Sequence, residues 1–190
     1  MATMIERRRA TDEKIYHSAL VEFGENGYSR TTLSKIAERA GITAGLIVQN
    51  FGSKEELFSK IARDTIDYIA SDLIDENPSW DHLAEKAVTD AIAMLESDPE
   101  MIHYMKFYLS ILTSLDTPSV AILYARTVFF DSGIEGMIKV GQERGELIAG
   151  DAFQIYTLFW MIMNHTVCHC FEHRLEYPSI SWFIDIIRKR

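Results

Sequence analysis

Apolar side chains recur along this chain at intervals of three and four residues, and no stretch alternates apolar with polar positions. Ile15, Ala19, Leu20 and Phe23 keep that interval, as do Leu33, Ile36, Ala37 and Ala40, and Leu57, Phe58, Ile61 and Ile69. Such a period gathers apolar groups on one face of an α-helix, whereas a half-buried strand needs a period of two. An all-α fold is therefore expected. Punctuation agrees with it: Gly27 and Gly41 stand where helices would stop, Ser53 with Glu56 and Asp151 with Gln154 form capping boxes, and Pro78, Pro99, Pro118 and Pro178 lie in or beside breaks. The pattern predicts about nine helices, over 11–25, 32–40, 44–51, 54–75, 79–95, 99–114, 118–145 with a break near Gly133, 152–173 and 179–189. No repeat and no low-complexity linker interrupts them.

With 190 residues, 47% hydrophobic and 25% charged, the chain is long enough for a sizeable core. Its start, "MATMIERRRATDEK", has basic residues without an apolar segment behind them, and its most apolar run, "IYTLFWMIM", is far shorter than the roughly 20 residues of a membrane span. The expectation is a cytoplasmic protein with no membrane partner. Cys168 and Cys170 are two apart in a predicted helix, so their side chains diverge and a mutual disulfide is not expected. Charge is unevenly spread: residues 1–60 hold nine Lys or Arg against eight Asp or Glu, and the remainder holds ten against twenty. An acidic body with a nearly neutral, Arg-tipped front can offer one face to a polyanion while the rest repels it.

Within that front, "AGITAGLIVQNF", residues 40–51, carries no charge at all. The stretch fits the turn and second helix of a helix-turn-helix: small Ala37 allows close packing, Gly41 supplies the left-handed turn, Ile36, Ile42 and Ile47 fill the space between the helices, and Thr43 is the N-cap. With Ile47 and Phe51 turned inward, the outward side presents Gly45, Leu46, Val48 and Gln49, with Asn50 on the flank. A Gln or Asn amide can make paired hydrogen bonds to an adenine edge, a small apolar group can touch a thymine methyl, and a glycine lets the backbone approach closely. Sequence reading needs such neutral groups, and phosphates are held by others nearby. Thr31 and Thr32 before the first helix, and Lys54 after the second, are the candidates for that role.

The longer segment "TTLSKIAERAGITAGLIVQNFGSKEELF", residues 31–58, resembles the TetR family of transcriptional regulators almost position by position, with Gly27 and Tyr28 ahead of it standing as that family's G-[YF]. The detailed resemblance covers about residues 11–58. It implies a three-helix DNA-binding domain at 1–58 and a larger helical bundle for effector binding and dimerisation at 59–190. The DNA-binding set it implies is Thr31, Thr32, Thr43, Ala44, Gly45, Val48, Gln49, Asn50 and Lys54. Val48 and Asn50 depart from the pattern, since many members carry tyrosines there. An isopropyl group cannot donate a hydrogen bond to phosphate, so that role passes to Thr43 and Lys54, base reading to Gln49, and a methyl or sugar contact to Val48. Arg7, Arg8 and Arg9 are candidates for a minor-groove arm, the alternative being a disordered terminus drawn to phosphate.

The resemblance also implies a repressor released from a near-palindromic duplex operator by a small apolar or amphipathic effector, and a homodimer built from the last two helices. Ile180, Phe183, Ile184 and Ile187, widened by Trp182 and Ile186, form an apolar face suited to a partner subunit. Aromatic and sulfur side chains for an adaptable cavity are supplied by Met101, Tyr104, Met105, Tyr108, Tyr124, Phe129, Phe130, Tyr156, Phe159, Trp160 and Met163, with His103 and Arg126 as polar members able to meet an anion. His165, His169 and His173 stand four apart, so a metal-responsive regulator is an alternative, although zinc sites usually draw ligands from more than one segment. A DNA-binding regulator without a ligand is another. No cofactor motif is present, and no nucleophile with a positioned base points to an enzyme.

Overall fold

The capping boxes at Ser53 and Asp151, the turn at Gly41 and the break at Gly133 lie where the spacing puts them, whereas Gly27 only kinks the first helix. In the computed structural model, which describes residues 4–71 and 79–189, the helices are α1 (Met4–Arg30), α2 (Leu33–Ala40), α3 (Ala44–Phe51), α4 (Lys54–Ser71), α5 (Trp80–Ser97), α6 (Met101–Thr113), α7 (Ser119–Asp131), α8 (Ile134–Glu143), α9 (Ala152–His173) and α10 (Ile180–Ile184). Ten α-helices thus appear among the described residues, because Gly133, at φ 76°, divides the 118–145 segment into two. Ser53 and Glu56 close their capping box with backbone-to-side-chain bonds of 2.7 and 3.1 Å, and Asp151 caps α9 through the Gln154 N–H at 2.9 Å. Pro78 and residues 72–75 of the predicted fourth helix lie outside the described residues.

Two ends differ from expectation. Helix α1 begins at Met4, so Arg7, Arg8 and Arg9 lie on a helix and form neither an extended arm nor a disordered tail. At the other end, the helix predicted over 179–189 has five residues, followed by one turn of 3-10 helix over Asp185–Ile187. The chain then pairs with the segment after α8: the Ile148 N–H donates to Ile187 O at 3.0 Å and the Lys189 N–H to Glu146 O at 3.0 Å. Phe183 and Ile187 are fully buried within their own chain, and the Trp80 indole donates to Ile184 O at 2.9 Å. The apolar face assigned to a partner subunit is therefore largely covered by the chain itself, leaving Ile180 and Trp182 exposed.

Two apolar cores form. One joins Ile15, Phe23, Ile36, Ile47, Phe58 and Ile61 of the first four helices to Phe107, Ile111 and Ala121 of α6 and α7. Phe58 lies edge-on to both Phe23 and Phe107, at 5.0 and 5.3 Å between centroids. The other fills the bundle of α5 to α9, with Trp80 against Phe159 at 4.6 Å. Helices α1 and α6 meet closely: a Cβ at Gly24 would stand 3.1 Å from the Phe107 backbone nitrogen.

Near the start of α6 on that seam, the Nε2 atoms of His17 and His103 each lie 3.6 Å from Glu100 Oε2. Burial pushes the His103 imidazole below its ordinary value of 6.5; Glu100 and Glu25 oppose this, and His17 and Lys106 add to it. Its Nδ1 is buried without a partner. A histidine whose folded pKa is depressed binds fewer protons than in the unfolded chain, so stability rises with pH up to the unfolded value and falls on the acid side of it. Thermal melts should therefore show a midpoint that declines as pH drops below about 6.5, and His103→Gln should flatten that slope; an unchanged slope in the variant would refute the assignment.

Candidate nucleic-acid interface and internal cavity

Helix α3 is short and neutral because its neighbours hold it. Ile47 is fully buried, Phe51 and Ile42 are half-buried against the same core, and Gly41 at φ 67° makes the turn, its N–H bonded back to α2. Gly45, Val48 and Gln49 face outward, Val48 being half exposed. A Cβ placed on Gly45 meets nothing within 4 Å, so no part of the protein itself requires glycine there. Ala44 and Leu46 are half-buried at the helix base. Thr43 occupies the N-cap position with an extended backbone, but its hydroxyl makes no capping bond and remains exposed. Thr32 does cap α2, accepting from the Lys35 N–H at 3.2 Å, and is exposed.

Three of the expected contacts are drawn inward instead. Thr31 is fully buried, and its hydroxyl lies within hydrogen-bonding reach of Glu22 O at 2.9 Å and Gly27 O at 2.8 Å, carbonyls near the break in α1 at Gly27. That corrects its assignment as a phosphate contact: the side chain is inaccessible and engaged. Lys54 is half-buried; its ammonium donates to Tyr28 O at 3.0 Å and Thr31 O at 3.1 Å and sits 4.0 Å from the centre of the Tyr28 ring. Asn50 donates to Asp12 Oδ1 at 2.8 Å, tying α3 to α1. Arg39 on α2 likewise grips α1 through Glu22 at 2.8 Å and Glu25 at 3.0 Å. These ties went unread in the sequence, where a donor is visible but the carbonyl it meets is not.

A cavity lies between α4, α6, α7, α8 and α9. Ile66 and Ile69 of α4 form one wall; Tyr108, Phe129, Phe153, Tyr156 and Thr157 are among the others. Its volume is about 20 Å³, room for little more than a water molecule. Of the residues expected to line a cavity, Tyr108, Phe129 and Tyr156 do so. Trp160 packs edge-on to Tyr108 and Tyr156, both at 5.9 Å, just behind that wall. Met105, Phe159 and Met163 are core residues of the same bundle. His103 lies instead on the α1–α6 seam, Tyr104 packs against the N-terminal core, and Tyr124 hydrogen bonds Asp67. Arg126 is exposed, 3.9 Å from Asp151 and stacked over Phe153 and Phe130.

His165, His169 and His173 form a stripe on α9, the first pair stacked at 6.1 Å between ring centroids and the second tilted at 4.5 Å. Among the described residues no group of three or more His, Cys, Asp or Glu is arranged to hold a metal ion. Cys168 and Cys170 are both free and buried, and burial pushes the Cys168 thiol up to about 12. Among the described residues no helix is long and apolar enough to cross a membrane.

Residues 15–61 match the sequence profile described as "Bacterial regulatory proteins, tetR family". The HTH-type transcriptional repressor AcnR of Corynebacterium glutamicum is 29% identical over 132 residues, 70% of this chain and 64% of the repressor, so the chain spans less than two thirds of that relative's length. Among solved structures, a TetR family transcription regulator from Marinobacter aquaeolei VT8 shares the fold at a TM-score of 0.65 and 16% identity, covering 98% of this chain and all of that one. FadR of Bacillus subtilis, solved in complex with stearoyl-CoA, does so at 0.57 and 18%, covering 92% and 95%. The helix-turn-helix, with its inward residues, turn glycine and following capping box, lies within the stretch of the chain that is similar to the TetR family of bacterial regulatory proteins.

Proposed function

We propose that this chain is a sequence-specific DNA-binding transcriptional regulator, a repressor that leaves its operator when a small effector enters the cavity beneath α4. The observation that carries the reading is the outward face of α3: Gly45, Val48 and Gln49 stand exposed and uncharged on a helix anchored on every other side. In a major groove Gln49 would read an adenine edge, Val48 would touch a methyl or sugar, and Gly45 would admit the backbone of the duplex. Thr43 and Thr32, exposed at the two helix starts, would hold phosphates. The protein acts in the cytoplasm as a binding protein, without catalysis.

Function of this kind needs two copies, since paired reading helices about 34–36 Å apart match one turn of DNA and a near-palindromic site. The dimer contact would draw on the outer side of α9, where Leu158, His165 and His169 are exposed, and on Ile180 and Trp182 of α10. We keep a division near residue 58 as one of roles only, reading head before and sensing body after, because α4 runs through it without a break. That continuity supplies the coupling: α4 starts at the Lys54 tie and carries Ile66 and Ile69 into the cavity wall. The FadR relative's bound stearoyl-CoA supports a ligand role for the corresponding body.

Gel-shift selection against a genomic library at low salt tests the reading; no preferred site, or a monomer by light scattering, would end it. Gly45→Ala should leave the melting temperature equal or higher, as alanine is favoured over glycine in a helix by about 1 kcal/mol, yet should weaken operator binding through the added methyl. Undiminished binding would remove α3 from the groove. Gln49→Ala should relax preference at one base pair per half-site by ~1 to 3 kcal/mol with folding intact. Lys54→Met should lower the melting temperature and weaken all duplexes alike with the salt slope nearly unchanged, because its ammonium is engaged within the protein. A slope flattened by about one phosphate's worth would show that Lys54 leaves its carbonyls on DNA.

A further inference from the structure

The walls of the α4–α9 cavity contain no Asp, Glu, Lys, Arg or His; their polar side chains are four hydroxyls, on Tyr108, Ser132, Tyr156 and Thr157. The Ser132 hydroxyl is satisfied within its own helix turn, donating to Phe129 O at 2.8 Å. The Thr157 hydroxyl oxygen is buried with no hydrogen-bond partner among the described residues, and one helical turn further on the buried Trp160 indole nitrogen faces the Tyr156 hydroxyl. Tyr108 and Tyr156 are buried and interact with each other; burial first of all holds both phenols above their ordinary range, so they remain neutral donors.

Burying a polar group without a hydrogen bond costs of the order of 1–3 kcal/mol, and burying an unpaired charge costs several times more. An occupant with one or two oxygens beside Thr157 and the tyrosine pair would relieve the first penalty. An anion in the same place would incur the second. Arg126, a cation packed on the lining residue Phe153, stacks over that ring and is paired with Asp151.

We propose that the effector of this cavity is an uncharged, compact ring compound bearing one or two hydrogen-bonding oxygens, of the phenol or cyclic-ketone class, with absence of charge as the specificity filter. This deepens the ligand half of the proposed function and rests on it. The cavity's present volume, about 20 Å³, means that such a ring enters only by parting Ile66 and Ile69 of α4 from Val128 and Phe129 of α7.

The test uses the full chain without DNA and two probes on one ring system, 2-naphthol and 2-naphthoate, with neutral 2-naphthamide as the size control for the carboxylate, titrated at neutral pH by calorimetry and by thermal shift. 2-Naphthol is expected to bind and to raise the melting temperature, 2-naphthoate to bind at least about tenfold more weakly because its carboxylate is desolvated without a partner. Thr157→Val should weaken 2-naphthol severalfold while Thr157→Ser retains it, and Arg126→Ala should change neither probe. Naphthoate binding as tightly as naphthol, naphthoate binding that disappears in Arg126→Ala, naphthol binding indifferent to Thr157→Val, or no binding of either probe would each overturn the proposal. Naphthol that binds but fails to release operator DNA leaves the ligand class standing and refutes the release reading instead; failure of DNA binding alone leaves these titrations untouched.

Discussion

The cation of Lys54 over the end of α1 is the interaction on which the geometry of the helix-turn-helix depends. A break at Gly27 frees carbonyls that a continuous helix would have satisfied, and such a helix end attracts positive charge. Thr31 takes up Glu22 O and Gly27 O, and Lys54 takes up Tyr28 O and Thr31 O. Since only Gly52 and Ser53 separate α3 from α4, fixing the start of α4 against α1 also fixes where α3 can point. The same tie accounts for the missing charge on α3's outer face. Lysine, asparagine and arginine around the motif are directed inward as clasps, to carbonyls, to Asp12, and to Glu22 and Glu25, so the outward groups that remain are neutral.

The helix-turn-helix is also packed directly onto the second half of the chain. The N-terminal core is completed by Phe107, Ile111 and Ala121 from the second half of the chain, and Gly24 lets α1 lie against the α6 backbone. No separate small domain swings on a linker. Motion of the head relative to the body must instead pass through packed helices, which shift between discrete arrangements more readily than they deform. Helix α4 belongs to both cores, with Leu57, Phe58, Ile61 and Ala62 in one and Ile66 in the other.

How much of this could be read beforehand depended on whether the determining interaction was local. The capping boxes at Ser53 and Asp151, the turn at Gly41, the break at Gly133 and the full extent of α9 follow from residues within four positions of one another, and they were legible. Thr31 was misread because its partners lie four and nine residues away across a kink that no periodicity displays. The tail shows the same limit. Its apolar spacing was right, but the helix stops after five residues because residues 187–189 pair with 146–148, a contact set by the turn at Gly145 far upstream. Among the cavity candidates, Tyr108 and Tyr124 are equally plausible aromatic residues in one dimension; only the packing of α7 against α4 decides that one faces the cavity and the other Asp67.

A narrow cavity with an unpartnered hydroxyl on one wall limits how a small molecule could act there. A ligand shifts an equilibrium only by its difference in affinity for the two states, and one that fitted the closed form would shift nothing. On the proposed reading, an effector larger than water would not fit the present volume of about 20 Å³ and would bind the parted form in preference. Parting the walls displaces Ile66 and Ile69, and from Ile66 back to Lys54 the helix runs about 18 Å at 1.5 Å per residue. An unbroken helix of that length acts as a lever. Because Lys54 grips the end of α1 and only two residues separate it from α3, tilting α4 cannot leave the reading face where it was. In a two-fold dimer the displacement would be applied with opposite sense at the two half-sites, so a change too small to unfold either head would still spoil the match to a duplex of fixed pitch.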